Sequence, residues 1–225
     1  VWLGVSDRAI DSIADDAAQQ AYVTEDFEAY YSSAPAAQFS TEVLVNNIQV
    51  SFLAFAAGIF FCVGTAYILA FNGANLGIAA GLFSNVGSSA VFWGLILPHG
   101  LLELSAVVVS GAAGLRLGWA IIAPGDQTRV QALAGEGRRS VIIILGLAVV
   151  FVFAGLIEGF VTPSSLSTPV RVGIGILAEL AFVLYIVSRG RLAASHGLTG
   201  MWGERIHAAA ADPDAYRRPV ALIPR

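Results

Sequence analysis

Val141-Ile142-Ile143-Ile144-Leu145-Gly146-Leu147-Ala148-Val149-Val150-Phe151-Val152-Phe153-Ala154-Gly155-Leu156-Ile157-Glu158-Gly159-Phe160 decides the architecture of this chain. Glu158 is its one ionisable side chain. An apolar run of about 20 residues crosses the ~30 Å of a bilayer's hydrocarbon core as a helix.

Composition extends this reading to the whole chain. It is 56% hydrophobic and 12% charged, with a mean hydropathy of +0.74. Soluble domains carry about 25% charged residues. The 24 glycines suit helices that approach closely in lipid, where no hydrophobic force drives them together. Every basic residue is arginine. Cys62 is the single cysteine, so no disulfide forms within the chain, and its apolar surroundings argue against a thiolate site.

Outward from the opening stretch, other spans follow. Val50 to Ala70 reads as a spanning helix. Residues 74–97 are apolar enough to cross, yet Ser84-Asn85-Val86-Gly87-Ser88-Ser89 interrupts them, as one polar-centred helix or as two half-helices. Pro98 is expected to break the chain, and His99 to Ala123 to span next. Val172 to Ser188 completes five crossings. Two stripes of small residues fit helix packing: Gly73, Gly77 and Gly81, then Ala106, Ser110, Gly114 and Gly118. The fold class is therefore all-α, a polytopic transmembrane bundle of about five spanning helices with short extramembrane helices.

Residues 1–45 read as an acidic extracytoplasmic segment. Within them, 5–45 carry eight Asp or Glu against one Arg. Helical spacing of Ile10, Ile13, Ala14 and Ala17 suggests an amphipathic helix near 7–20, and another runs through Phe27, Tyr30 and Tyr31. Val1-Trp2-Leu3-Gly4 reads as the end of an apolar helix begun upstream. Residues 46–188 form the membrane domain and 189–225 a basic tail. Arginines in the 124–139 loop and the tail place both in the cytoplasm by the positive-inside rule. The 161–170 loop, without a basic residue, then lies outside.

The chemistry concentrates in Pro98-His99-Gly100-Leu101-Leu102-Glu103-Leu104. His99 and Glu103 sit one helical turn apart on one face. Ionisable groups at membrane depth are costly and should face protein or water. In the proposed topology Glu158 lies on the same side, so His99, Glu103 and Glu158 are expected to converge on one polar cavity. Their bland alternative is an interfacial, helix-capping His99 with Glu103 paired to Arg116 or to a lumen water. Glu179, near the centre of the last span, is either neutral, hydrated, or paired to Arg171 or Arg116. Asn46, Asn47 and Asn72 read as helix caps or as inter-helix hydrogen-bond donors. A zinc peptidase would need a second in-membrane histidine beside a glutamate, and His196 and His207 lie in the tail. No catalytic set, metal site or cofactor site is assigned. Phosphate loops and nucleic-acid-binding patterns are lacking.

Asn46-Asn47-Ile48, Phe55-x-x-Gly58, Gly64-Thr65, Asn72-Gly73-x-x-Leu76-Gly77, Phe92-Trp93, Pro98-His99-Gly100-x-x-Glu103-Leu104, Ala112-Ala113-Gly114-Leu115-x-Leu117-Gly118, Pro124-Gly125 and Gly155-x-Ile157-Glu158-Gly159-Phe160 occur in this order. This pattern, over residues 46 to about 163, resembles the stage II sporulation protein M family of bacterial integral membrane proteins. The resemblance implies a scaffold: the founding member recruits peptidoglycan-degrading partners to a septal membrane, while many relatives occur in bacteria that never sporulate. It carries over no catalytic residues.

The expected function is a membrane scaffold or anchor for a bacterial envelope-associated complex. The runner-up is a transporter or channel subunit with a polar intramembrane site. Third comes an intramembrane metal-dependent hydrolase, which the ligand count disfavours. Expected partners are membrane lipids, other membrane or envelope proteins and further copies of the chain, with no nucleic acid. The expected location is the bacterial plasma membrane, multi-pass, with a cytoplasmic C-terminus.

Overall fold

A computed structural model describes Gln20 and residues 36–198. The expected helices near 7–20 and 27–31, the upstream helix end at Val1–Gly4, and the tail beyond 198 with His207 lie outside the described residues.

Five helices make up the described chain: α1 (Ala36–Ala56), α2 (Val63–Asn85), α3 (Ser89–Ile122), α4 (Arg129–Phe160) and α5 (Thr168–Ser195). A short 3-10 turn, Ala57–Ile59, follows α1. All five helices are long and apolar enough to cross a membrane, the first over Ser40–Ile59. Among the described residues this membrane protein is thus all-helical, with the expected five helices able to cross.

Their boundaries differ from the expected ones at three places. The Val50–Ala70 run is not one span. It reverses direction between Ala57 and Cys62, where Phe61 and Cys62 take left-handed backbone angles (φ 54 and 68). Bulky residues rarely adopt such angles, and nothing in their sequence signals a turn. Packing on α3 supplies the reason. A Cβ at Gly58 would lie 1.9 Å from the Gly114 carbonyl oxygen, and one at Gly118 would lie 2.4 Å from the Gly58 oxygen. The reversal fits against glycines that leave room for backbone.

The polar Ser84–Ser89 stretch is a boundary between helices rather than a break within a span. α2 runs to Asn85, Gly87 turns with φ 74, and α3 begins at Ser89.

Pro98, in contrast, breaks nothing. α3 passes through it as one helix of 34 residues, about 51 Å at ~1.5 Å per residue. Proline removes the hydrogen bond to the carbonyl four residues back, that of Gly94. Membrane helices tolerate this where neighbours enclose the site. Here α5 does so: a Cβ at Gly175 would fall 2.5 Å from the Pro98 oxygen, and one at Gly94 would fall 2.7 Å from the Thr168 methyl. His99 therefore lies within a continuous helix and caps nothing.

α3 is the central element and packs on every other described helix. Residue pairs fix the directions. Asn47 meets Glu103, Ser51 meets Ser110 and Gly58 meets Gly118, so α1 runs parallel to α3. Glu158 meets His99 while Gly137 approaches Leu117, so α4 runs antiparallel. Thr168 meets Gly94 and Glu179 meets Ser105, so α5 is parallel. α4 opens with a capping box, Thr128 and Gln131 each bonding the other's backbone N–H.

The expected stripe Ala106, Ser110, Gly114 and Gly118 is buried, and Ser110, Gly114 and Gly118 lie against α1 and the turn after it. Ser110 Oγ donates to the Ser51 carbonyl at 2.6 Å, and Thr65 Oγ1 donates to that of Ala54 at 2.6 Å. The stripe on α2 is only partly used: Gly81 is buried, but a Cβ at Gly73 would meet nothing within 4 Å. The core joins Ala106 and Val107 of α3 to Ile144, Leu147 and Phe151 of α4.

Candidate functional site

α3 brings His99 and Glu103 to one face, and the bundle closes over both. They are 4% and 5% exposed. Each meets a different neighbour. Asn47 of α1 donates through Nδ2 to Glu103 Oε2 at 2.8 Å. The His99 Nδ1 atom contacts Glu158 Oε2 at the end of α4, where Glu158 is 2% exposed. Glu103 lies one helical turn from His99 on the same face of α3, and its contact is with Asn47. The three expected residues are thus buried in one region, His99 directly on Glu158 and Glu103 one turn away.

The helix end adds a fourth side chain. Thr162 Oγ1 donates to Glu158 Oε2 at 2.9 Å and lies 3.5 Å from His99 Nδ1. The Thr162 carbonyl accepts from the Arg171 guanidinium, which also donates to Thr168 Oγ1 at 3.1 Å. A polar chain therefore runs from Arg171 through Thr162 and Glu158 to His99. A second contact, Asn47 to Glu103, lies one turn further along α3. The two together link α1, α3, α4 and α5.

Sequence reasoning missed Thr162 and the role of Arg171. Thr162 is four residues beyond Glu158, the spacing that places two side chains on one helical face. That signal was available, but the Thr162-Pro163 turn obscured it. The reach of Arg171 back to Thr162 depends on how the 161–167 turn folds.

Other expected partners are placed elsewhere. Glu179 pairs with neither Arg171 nor Arg116; it accepts from Ser105 Oγ at 2.7 Å. Arg116 lies about 25 Å along α3 from His99, from ~1.5 Å per residue. It pairs with Glu136, Nε to Oε1 at 2.9 Å, rather than with Glu103 or Glu179. The three asparagines cap no helix, because the helix boundaries moved. Asn47 bridges to α3, Asn46 is exposed on α1, and Asn72 donates to the Ile68 carbonyl of its own helix at 2.8 Å. His196 ends α5, at the opposite end from the α5 residues beside the cluster.

The chemistry open to this arrangement follows from its donors and acceptors. An imidazole can donate to or accept from Glu158, and if protonated it balances one carboxylate. Asn47 offers Glu103 a dipole but no charge. Glu103 Oε1 and Glu158 Oε1 are buried without a protein hydrogen-bond partner. Among the described residues, no group of three His, Cys, Asp or Glu side chains is placed to hold a metal ion.

A family model for stage II sporulation protein M matches residues 2–163. That is most of the chain. The chain belongs to the stage II sporulation protein M family. The match begins well before residue 46, where the sequence resemblance was expected to start, and ends where it was expected to end. A relative from the archaeon Methanocaldococcus jannaschii, described only as an uncharacterized protein, is 31% identical over 132 residues, 57% of this chain and 74% of the relative. The sporulation protein M family is therefore not confined to bacteria. No solved structure matches the chain. Asn47, His99, Glu103, Glu158 and Thr162 all fall within the matched span; Arg171 and Glu179 fall beyond it.

Proposed function

We propose that this protein is a multi-pass membrane scaffold or anchor on which an envelope-associated complex assembles. The observation that carries the reading is the direction of its ionisable groups. His99 and Glu158 turn inward onto one another and onto Thr162, and Glu103 onto Asn47, at helix contacts that fix the register of α1, α3 and α4. A buried polar set used to fix register is the best-attested role of such groups. It gives a rigid platform whose outer helix faces remain free for partners, including further copies of the chain.

Arginine placement supports a cytoplasmic C-terminus in the plasma membrane. Arg116, Arg129, Arg138, Arg139, Arg189 and Arg191 gather at one end of the bundle, and Arg171 lies at the other. The test is affinity capture of the tagged protein from native membranes after mild solubilisation. Stable co-recovery of envelope proteins, reduced by His99→Ala, is expected. Recovery of the protein alone would overturn the reading.

One observation favours a second reading as a transporter. Glu103, Glu158 and Glu179 each keep one buried oxygen without a protein partner. Carboxylates of this kind within a bundle mark ion or proton paths elsewhere. Ion or proton flux in reconstituted vesicles, lost in Glu103→Gln, would favour it over the scaffold.

A further inference from the structure

α4 and α5 follow one another in the chain but scarcely touch; both lean on α3. The slot between them has a volume of about 570 Å³. Leu102 of α3 forms its floor, Ile157 and Phe160 part of one wall, Ala178 and Phe182 part of the other. Apart from the Tyr185 hydroxyl, its side chains are apolar. The volume falls within the ~300–1,000 Å³ typical of small-molecule sites.

The slot's length indicates its occupant. On one side its lining runs from Val150 to Val161, just past the end of α4, and on α5 from Ala178 to Tyr185. Glu158 and Gly175 lie level beside His99 and Pro98, so the slot is about 20 Å long at ~1.5 Å per residue, roughly two-thirds of a ~30 Å hydrocarbon core. The slot starts at the end of the bundle carrying the 161–167 turn and stops short of the far side. A transmembrane helix from a second copy would call for a groove of full membrane depth. An acyl chain from one leaflet needs half of it.

Arg171 does not line the slot but lies beside its Val161 end, bonded to the neighbouring Thr162 carbonyl. Ala178, Phe182 and Tyr185 lie 7, 11 and 14 residues beyond it on α5, a helical spacing that keeps all four on one face. Its hydrogen bonds go to the neutral oxygens of Thr162 and Thr168, and its Nε is buried without a partner. The guanidinium fork matches phosphate oxygens in geometry and charge.

We propose that this slot binds a phospholipid of the leaflet at the 161–167 end, one acyl chain lying between α4 and α5 and the phosphate at Arg171. Arg171 also ends the polar chain that leads to His99 through Thr162, but none of the slot's lining residues belongs to that cluster, and the proposal does not depend on the scaffold reading.

Native mass spectrometry of the full chain released from phosphatidylglycerol nanodiscs tests this, with diacylglycerol as the phosphate-free probe. The wild-type protein should retain one phosphatidylglycerol molecule and little diacylglycerol. Arg171→Gln should weaken retention by about tenfold, the scale of one lost charge-assisted hydrogen bond. Arg171→Lys should retain part of it, and Ala178→Trp, which fills the slot, should abolish it. Equal retention of the two probes, or retention unchanged by both Arg171→Gln and Ala178→Trp, would overturn the proposal. So would a photoreactive side chain at position 181 that cross-links to another copy instead of to lipid. If Arg171→Gln does not fold, the probe comparison on the wild type and the Ala178→Trp variant decide the matter.

Discussion

The His99 imidazole on α3 rests directly on the Glu158 carboxylate at the end of α4, with both groups sealed from solvent. A contact of this type is costly to break from one side. Removing one partner of a buried ion pair typically costs about 3–5 kcal/mol, because the other is left uncompensated. His99→Ala and Glu158→Ala should each lower thermal stability in detergent, and the double variant should lose much less than the sum. Replacing both with leucine should recover most of the loss. Additive single effects in a double-mutant cycle would show that the two side chains do not act as a pair.

Asn47 holds Glu103 by one amide hydrogen bond. Asn47→Ala should cost roughly 0.6–2 kcal/mol, the range measured for inter-helix hydrogen bonds in membranes. Asn47→Asp should cost more, since it sets a second carboxylate beside Glu103. Chemical unfolding in mixed micelles gives both values, and an aspartate variant as stable as wild type would contradict the assigned contact.

The reversal after α1 depends on two glycines. A Cβ at Gly58 would sit 1.9 Å from the Gly114 oxygen, and one at Gly114 would sit 2.4 Å from the Ala54 oxygen. These obstacles are backbone and cannot swing aside. Gly58→Ala and Gly114→Ala should each destabilise by about 1–3 kcal/mol, the usual cost of overpacking. Gly73→Ala provides the contrast. Nothing lies within 4 Å of its Cβ position, and alanine is favoured over glycine inside a helix by roughly 0.5–1 kcal/mol. It should be neutral or stabilising, despite belonging to an equally regular small-residue stripe in the sequence.

Arg116, whose side chain is 69% exposed, pairs with the largely buried Glu136, which keeps Arg139 as a second partner. Exposed pairs contribute about 0–1 kcal/mol. Arg116→Ala should leave the melting temperature nearly unchanged, whereas His99→Ala should lower it clearly. Comparable losses in the two variants would indicate that Arg116 has a partner beyond Glu136.

Much of the architecture was legible because lipid imposes a simple rule. Val141–Phe160 has to be a helix wherever it sits, and so does each other apolar run. The Ala106-Ser110-Gly114-Gly118 stripe was legible for a similar reason: small residues at helical spacing mark a close approach. The grouping of His99, Glu103 and Glu158 could be anticipated, since ionisable groups at one depth tend to seek each other. Helix ends were harder to read. Phe60-Phe61-Cys62 carries no turn residue, and Pro98 looks like a stop. Each reading was reversed by a glycine on another helix, Gly114 and Gly118 in the first case and Gly175 in the second.

The sequence by itself determined that this protein is a helical membrane bundle with few ionisable groups inside its spans. Hydropathy and spacing are local properties, and a bilayer turns them directly into spans. Tertiary structure alone decided where the chain reverses, that α3 continues through Pro98, that Thr162 and Arg171 join the polar chain, and that α4 and α5 part to leave a lipid-sized slot. Those outcomes depend on which backbones can approach within contact distance, and that is fixed by pairs of residues far apart in the chain.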